Sequence, residues 1–235
     1  MLFNTAEMSC VLNEMSYDQT ADTADVTTFC SSGDREYIAG IRQASGSFGG
    51  LHDGSTAETD RLFHAAAGGS SAAVITLGAG GDAVGSAAFL AAGHVTQYSV
   101  NAPTGDVVAA NASVQYTSES RGGVWLKPLA SIAAATTSHG TVALGGSSQS
   151  TRGGVGHLHV TAGTTGVGND LAVKIQDSSN GTVWADLITF TAVDSTAPIS
   201  GVERVLTTGV VNDNVRATST GGSAGATFAV AFARN

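Results

Sequence analysis

Period-two alternation is the feature that most restricts what this chain can fold into. Val108, Ala110, Ala112, Val114 and Tyr116 alternate with Ala109, Asn111, Ser113 and Gln115, and Leu171, Val173 and Ile175 alternate with Ala172, Lys174 and Gln176. Alternate residues of a strand point to opposite faces, so such runs are half-buried strands. Around them, Ala72–Leu77, Ser86–Ala92, His94–Val100, Val124–Leu129, Gly156–Thr161, Val183–Thr191, Val202–Thr207, Val215–Thr218 and Thr227–Ala233 read as further short strands. GAGGDAVG, Gly93, NAPTG and the Asn180-Gly181 pair separate several of them with turn chemistry. Pro128 is expected to end its strand. Residues 5–13 could form a short helix capped by Thr5. The clearest helical pattern runs from Thr56 to Ala67, with Ser55 or Thr56 as cap and Gly68 as stop.

The stretch Val26–Asp53 is unusual. It reads as a strand (Val26–Phe29), a polar link (Cys30–Arg35), then an extended run through Tyr37, Ile38 and Ile41 to Phe48, with five glycines along it. The link is too polar for a core and too long for a two-residue hairpin turn, so it lies in solvent or contacts something else.

Residues 131–152 lose all periodicity and read as a linker or arm. The expected organisation is mainly β: a sandwich or barrel over 1–130 with one flanking helix, then a small Ig-like β-sandwich over 153–235. Trp184, Leu187, Phe190, Phe228, Val230 and Phe232 are its expected core.

Charge restricts function. Only 12% of residues are charged and the net charge is −9. Residues 1–145 hold 13 acidic against 5 basic side chains (−8), and residues 146–235 hold 6 against 5 (−1). Such a body offers no counterion-release binding to nucleic acid, although DNA could slide past it without sticking. The first fourteen residues contain acids and no basic segment, so they do not read as a signal peptide, and no apolar run reaches the length of a membrane span. Cys10 and Cys30 are expected to be free and buried in a cytoplasmically synthesised chain.

Catalytic and metal patterns are sparse. His157 and His159 share one strand face but have no third ligand at comparable placement, and strand-surface histidines are the simpler reading. GAGGDAVG follows a strand but opens another strand, so no helix N-terminus is available for a phosphate. No cofactor and no catalytic set is expected.

Ala24–Gly54 resembles the major tail tube proteins of long, non-contractile-tailed (siphovirus-type) bacteriophages. Thr27-Thr28-Phe29, Tyr37-Ile38, Gly40-Ile41-Arg42, Gly49 and Asp53 carry the pattern, whereas Cys30 replaces a common glycine and His52 a common aromatic. Val173–Val193 and Thr227–Arg234 are similar to a C-terminal extension of some tube proteins. The resemblance implies a β domain assembling into hexameric rings stacked as a tube, located in the virion tail, with the genome passing through the lumen. Cys30, Ser31, Ser32, Gly33, Asp34, Arg35, Glu36 and Tyr37 would contact the next ring. Asp18, Asp22, Asp25, Asp82 and Asp106 would be candidates for an acidic lumen. Implied partners are copies of the chain itself, the tape measure, tail terminator and tail tip proteins, and transient DNA, with no membrane. The competing reading is a capsid-decorating or adhesin-like β protein whose C-terminal sandwich binds a carbohydrate or receptor.

Overall fold

A computed structural model describes all residues except 29, 32, 53–58, 118–119, 133–135, 146–149, 164–169, 195–199 and 222–225. The protein is mainly β with one helix among the described residues. It divides into two compact units. The first is Met1–Cys10 with Ala73–Ala92 and Ser120–Asn235; the second is Val11–Ala72 with Gly93–Glu119. These bounds differ from a division at 130 and 153.

In the first unit, β1 (Leu2–Phe3) pairs with β2 (Ala6–Glu7), where the sequence suggested a helix over 5–13. The second unit opens with β3 (Leu12–Asp25) and β4 (Tyr37–Leu51), followed by α1 (Thr59–Ala66). The proposed helix caps Ser55 and Thr56 lie outside the described residues. Strand β5 (Ala73–Leu77) returns to the first unit and pairs with β1. Strand β6 (Ala87–Asn101) is one strand, not two divided at Gly93; Ala87–Ala92 belong to the first unit and Gly93–Asn101 to the second. Gly93 sits where an added Cβ would meet the Gln115 carbonyl oxygen at 2.5 Å, so it serves close packing rather than a turn. Strand β7 (Ala109–Tyr116) completes the second unit.

Strand β8 (Arg121–Ser131) runs through Pro128. The register there shifts from Lys127↔Val230 to Ala130↔Phe228, a bulge, which is where a strand tolerates proline. The Lys127 ammonium donates to the Ala130 and Phe228 carbonyls at 2.6 and 2.7 Å. Residues 131–152 are not structureless: β9 (Thr136–Ala143) pairs with β14 (Asn214–Thr220). Its small polar residues give little periodicity, and the neighbouring strand supplies the order.

The remaining strands are β10 (Gly154–Ala162), β11 (Ala172–Ser178), β12 (Ala185–Thr189), β13 (Gly201–Thr207) and β15 (Thr227–Arg234). The β11–β12 hairpin turns through residues 179–184, with Gly181 at φ 72° and Asn180 Oδ1 accepting from Thr182 N and Val183 N at 2.9 Å each. Within the first unit, β13-β10-β15-β8 form one layer and β12-β11-β14-β9 a second. Leu126, Leu158, Val160, Val173, Ile175, Phe190, Phe228, Val230 and Phe232 make one apolar cluster. Alternate residues of the same strands, with Leu2, Trp125, Val155, Ala229, Ala231 and Ala233, form another. A sheet buried on both faces explains why β10 and β15 are buried over nearly their whole length. The sandwich needs β8 and β9 as well as the six C-terminal strands.

Two expected core assignments change. Trp184 is half-buried beneath the Arg216 guanidinium, 4.1 Å from its ring centroid, and lies outside the core. Cys10 and Cys30 are free but exposed.

Candidate functional site

The second unit presents a four-stranded antiparallel sheet in the order β3-β4-β7-β6. Register sorts its side chains into two faces. Tyr17 stands opposite Gly46, then Val114 and Val95; Met15 stands opposite Phe48, then Ala112 and Tyr98. That face is apolar, and Phe63 of α1 stacks against Phe48 at 6.2 Å and lies 6.4 Å from Tyr98. Tyr98 donates to Asp60 at 2.7 Å, tying the helix to the sheet. Tyr116 abuts Gly46, and burial pushes its phenol up to about 12.

The opposite face is polar except at its end, where the exposed Leu51 stands opposite Ala109. Asp18, Ser45 and Gln115 form one row across the strands; Ser16, Ser47, Ser113 and Gln97 form the next; Asn111 and Ser99 continue it. Ser16 and Ser47 share a hydrogen bond at 2.8 Å, and Gln115 donates to the Ala44 carbonyl at 2.8 Å. The first row ends at the half-buried His94, opposite Gln115, and Glu14 stands beside Gly49 and Asn111. No lysine or arginine lies in these rows, so the face offers little to a phosphate backbone.

Beyond this sheet β3 and β4 continue as a two-stranded ribbon, paired as far as Asp25↔Tyr37. Both strands are exposed from Asp18 to Asp25 and from Tyr37 to Gln43. Ile41, Ile38 and Tyr37 are 79%, 56% and 53% exposed. Gly40 and Ile41 together oppose Asp22, a bulge that re-aims Ile41 into solvent. An added Cβ at Gly40 would lie 3.2 Å from the Asp22 carbonyl oxygen, a tight approach that glycine relieves. Exposed, apolar, two-stranded ribbons are marginal alone in water.

The link at the ribbon's end is a folded turn. Val26, expected in a strand with Thr27 and Thr28, donates instead to the Glu36 carbonyl at 2.9 Å and closes it. The Thr27 hydroxyl accepts from Glu36 N at 3.0 Å, and the Ser31 hydroxyl accepts from Thr28 N at 3.0 Å. These local bonds compete with ladder pairing and explain why no strand forms there. Gly33 takes φ 92°, and Arg35 reaches the Tyr37 hydroxyl at 3.4 Å. Cys30, Gly33, Asp34, Arg35, Glu36 and Tyr37 are exposed and Ser31 is half-exposed. Phe29 and Ser32 lie outside the described residues.

The five expected lumen acids do not form one set. Asp18 lies on the polar face, and alternation places Asp22 on the same side of β3 and Asp25 on the other. Asp25 accepts the Thr27 hydroxyl and amide, which lower its pKa. Asp106 accepts from Val107 N at 2.7 Å in the β6–β7 loop. Asp82 belongs to the other unit. Reading the sequence missed Ser45, Ser47, Asn111, Ser113, Gln115, Gln97 and Ser99 as one surface; its signal was the polar half of the β7 alternation.

The first unit holds a separate polar cluster. His157 and His159 are fully buried, not on a strand surface. Thr76 Oγ1 lies 2.9 Å from His157 Nδ1 and 2.8 Å from His159 Nε2, and His159 Nδ1 lies 2.6 Å from the Asn4 carbonyl oxygen. Burial pushes His159 down to about 4, and lowers His157 well below its ordinary value with help from His159 and Arg204. No group of three metal-ligating side chains occurs among the described residues.

No protein-family description and no curated protein sequence matches the chain. Among solved structures, it is similar to a chain of the virion of a native gene transfer agent particle, at 17% identity and TM-score 0.41, covering 51% of this chain and 92% of that one. A chain from the tail of an empty gene transfer agent particle with C6 symmetry matches at 18% identity and TM-score 0.38, over 47% and 80%. The Dit protein of phage SPP1, described as a hub of the adsorption apparatus in phages infecting Gram-positive hosts, matches at 9% identity and TM-score 0.34, over 100% and 98%. All three TM-scores lie below 0.5, and these likenesses assign no function to this chain.

Proposed function

We propose that the chain is a structural subunit of a phage tail, assembling with copies of itself into rings that stack as a tube for genome passage. The observation that carries this reading is the β3-β4-β7-β6 sheet, polar on one face and open at both edges. Strand β3 pairs with β4 alone, and past Val95 strand β6 pairs with β7 alone among the described residues. Open edges are a liability in a monomer. Here the two edges are different strands, so edge-to-edge pairing between copies is heterologous and closes into a ring if the rotation permits. Six copies is the number the sequence resemblance implies. Such a ring would turn the Ser, Gln and Asn rows inward, with Asp18 and Asp22, and pass DNA without holding it.

The ribbon and its link then contact the next ring. Burying Ile38, Ile41 and Tyr37 between copies would supply the stability a lone ribbon lacks; each large side chain contributes on the order of 1.5–3 kcal/mol when fully buried. The chain is read as non-enzymatic. The adhesin-like alternative has less support, because one face of Trp184 is already covered by Arg216 rather than open to a sugar.

Negative-stain microscopy and sedimentation of the purified chain test the reading. Rings or tubes are expected. A monodisperse monomer at high concentration, even when supplied with preformed tail-tip complex, would refute it. Deleting Ser31–Glu36 should leave a folded protein that forms rings but does not stack them.

A further inference from the structure

The turn between β11 and β12 carries Asn180-Gly181, the one Asn-Gly pair in the sequence. Asn-Gly is the pair least hindered for deamidation, because glycine has no side chain to crowd the attacking amide. The reaction needs two movements. Gly181 N gives up its proton and bonds to Asn180 Cγ. The Cγ–Nδ2 bond then breaks, and Nδ2 leaves as ammonia with the displaced proton. Water opens the resulting succinimide at either carbonyl, leaving aspartate or isoaspartate at position 180. Asn180 and Gly181 are both exposed, so burial does not keep water from them.

Hydrogen bonds oppose both movements. Gly181 N donates to Ser178 Oγ at 2.9 Å, and a hydroxyl that accepts this proton is no base to remove it. Asn180 Oδ1 accepts from Thr182 N and Val183 N at 2.9 Å each and from the Ser178 hydroxyl at 3.1 Å, which holds the side chain by its oxygen. Asn180 N also donates to Ser178 Oγ, at 3.3 Å. Ser178 therefore uses its one proton and both lone pairs on this turn. It is itself anchored: its residue is 2% exposed, stands opposite Asn214 in β14, and accepts from Asn214 Nδ2 at its carbonyl at 3.2 Å. We propose that Asn180 is a latent deamidation site and that the Ser178 hydroxyl protects it, by retaining the Gly181 proton and restraining the Asn180 carboxamide. Isoaspartate would add a backbone carbon beside the Asp177↔Ala185 pair of the hairpin, so the protection also preserves its register.

The test incubates the full chain at mildly alkaline pH and follows aspartate and isoaspartate at position 180 by peptide mass spectrometry. Ser178→Ala should deamidate about tenfold faster than the unaltered chain, the factor that losing roughly one or two net hydrogen bonds allows. Lys174→Ala breaks the ion pair with Asp186 on the same hairpin and should leave the rate unchanged. A Ser178→Ala rate within about twofold of the unaltered chain, or equal acceleration by Lys174→Ala, would overturn the assignment. If Ser178→Ala does not fold, hydrogen exchange of the Gly181 amide in the unaltered chain decides. Exchange slowed well below the rate of the same amide in urea supports the protecting bond, and exchange at that rate removes it.

Discussion

Replacing Thr76 with valine keeps the shape of a β-branched side chain and removes one hydroxyl. That hydroxyl bridges two fully buried rings: the Asn4 carbonyl takes the His159 Nδ1 proton, so Thr76 donates to neutral His159 at Nε2, 2.8 Å away, and accepts from His157 Nδ1 at 2.9 Å. Thr76→Val therefore leaves one buried acceptor and one buried donor unpaired at once. Each such orphan costs about 1–3 kcal/mol, giving about 2–5 kcal/mol after a small gain from burying the extra methyl. With a urea slope of about 1–3 kcal/mol/M, the unfolding midpoint should fall by roughly 1–2 M at pH 7. Both tryptophans, Trp125 and Trp184, belong to the first unit, so their fluorescence reports on the unit that holds the substitution. Thr76→Ser keeps the hydroxyl and should lose about 1 kcal/mol for the missing methyl. If Thr76→Val lay within about 0.5 kcal/mol of the unaltered chain, or Thr76→Ser cost as much as valine, the bridging role would be wrong.

Acid should destabilise the same unit. His159 is held down to about 4 against about 6.5 unfolded, so the folded state favours the neutral ring. Its contribution is complete above pH 6.5 and is lost as pH falls towards 4, amounting to about 3 kcal/mol, with His157 acting in the same direction. Urea midpoints that stay flat from pH 7.5 to 4.5 would contradict this. Gly123→Val would place a Cβ 2.3 Å from the Phe232 carbonyl oxygen, and should cost at least about 1–3 kcal/mol or prevent soluble expression; a normal thermal midpoint would show that the β8–β15 contact is looser than described. Phe232→Ala should cost about 3–5 kcal/mol by opening the cluster between the two layers of the sandwich, measured by denaturant unfolding. Ile41→Lys, at a site 79% exposed, should change monomer stability by less than about 0.5 kcal/mol yet abolish stacking in electron micrographs; unimpaired tubes would remove Ile41 from the contact.

Period-two alternation made the strands of the sandwich legible because each residue's face is a local property. Leu171, Val173 and Ile175 are buried as their alternation required. Where pairing depends on a distant strand, local reading failed. Strand β9 looked like linker because Thr136–Ala143 carries little apolar signal, and β14 orders it. Pro128 looked like a stop because the bulge that accommodates it is created by the partner strand. His157 and His159 looked like surface residues because nothing nearby in the chain reveals that Thr76, about eighty residues earlier, covers them. The link Cys30–Arg35 was legible as an exposed polar segment, but the strand before it was read at Val26–Phe29 and lies at Leu12–Asp25, and the polar face beside it was not legible. Ser16, Ser47, Ser113 and Gln97 come from four strands and become one surface only through register.

The position of β15 has a consequence for the order in which the two units can fold. The strand Thr227–Arg234 lies inside its sheet, hydrogen-bonded to β10 on one side and β8 on the other. Synthesis at about 5–20 residues per second leaves the first unit without that strand until Thr227–Arg234 are made, well after Glu119. The second unit, whose residues end at Glu119, can pair its strands much earlier. A nascent chain thus carries a finished ribbon on an unfinished body. The late strand acts as a clock, setting the delay between emergence of the ribbon and completion of the first unit.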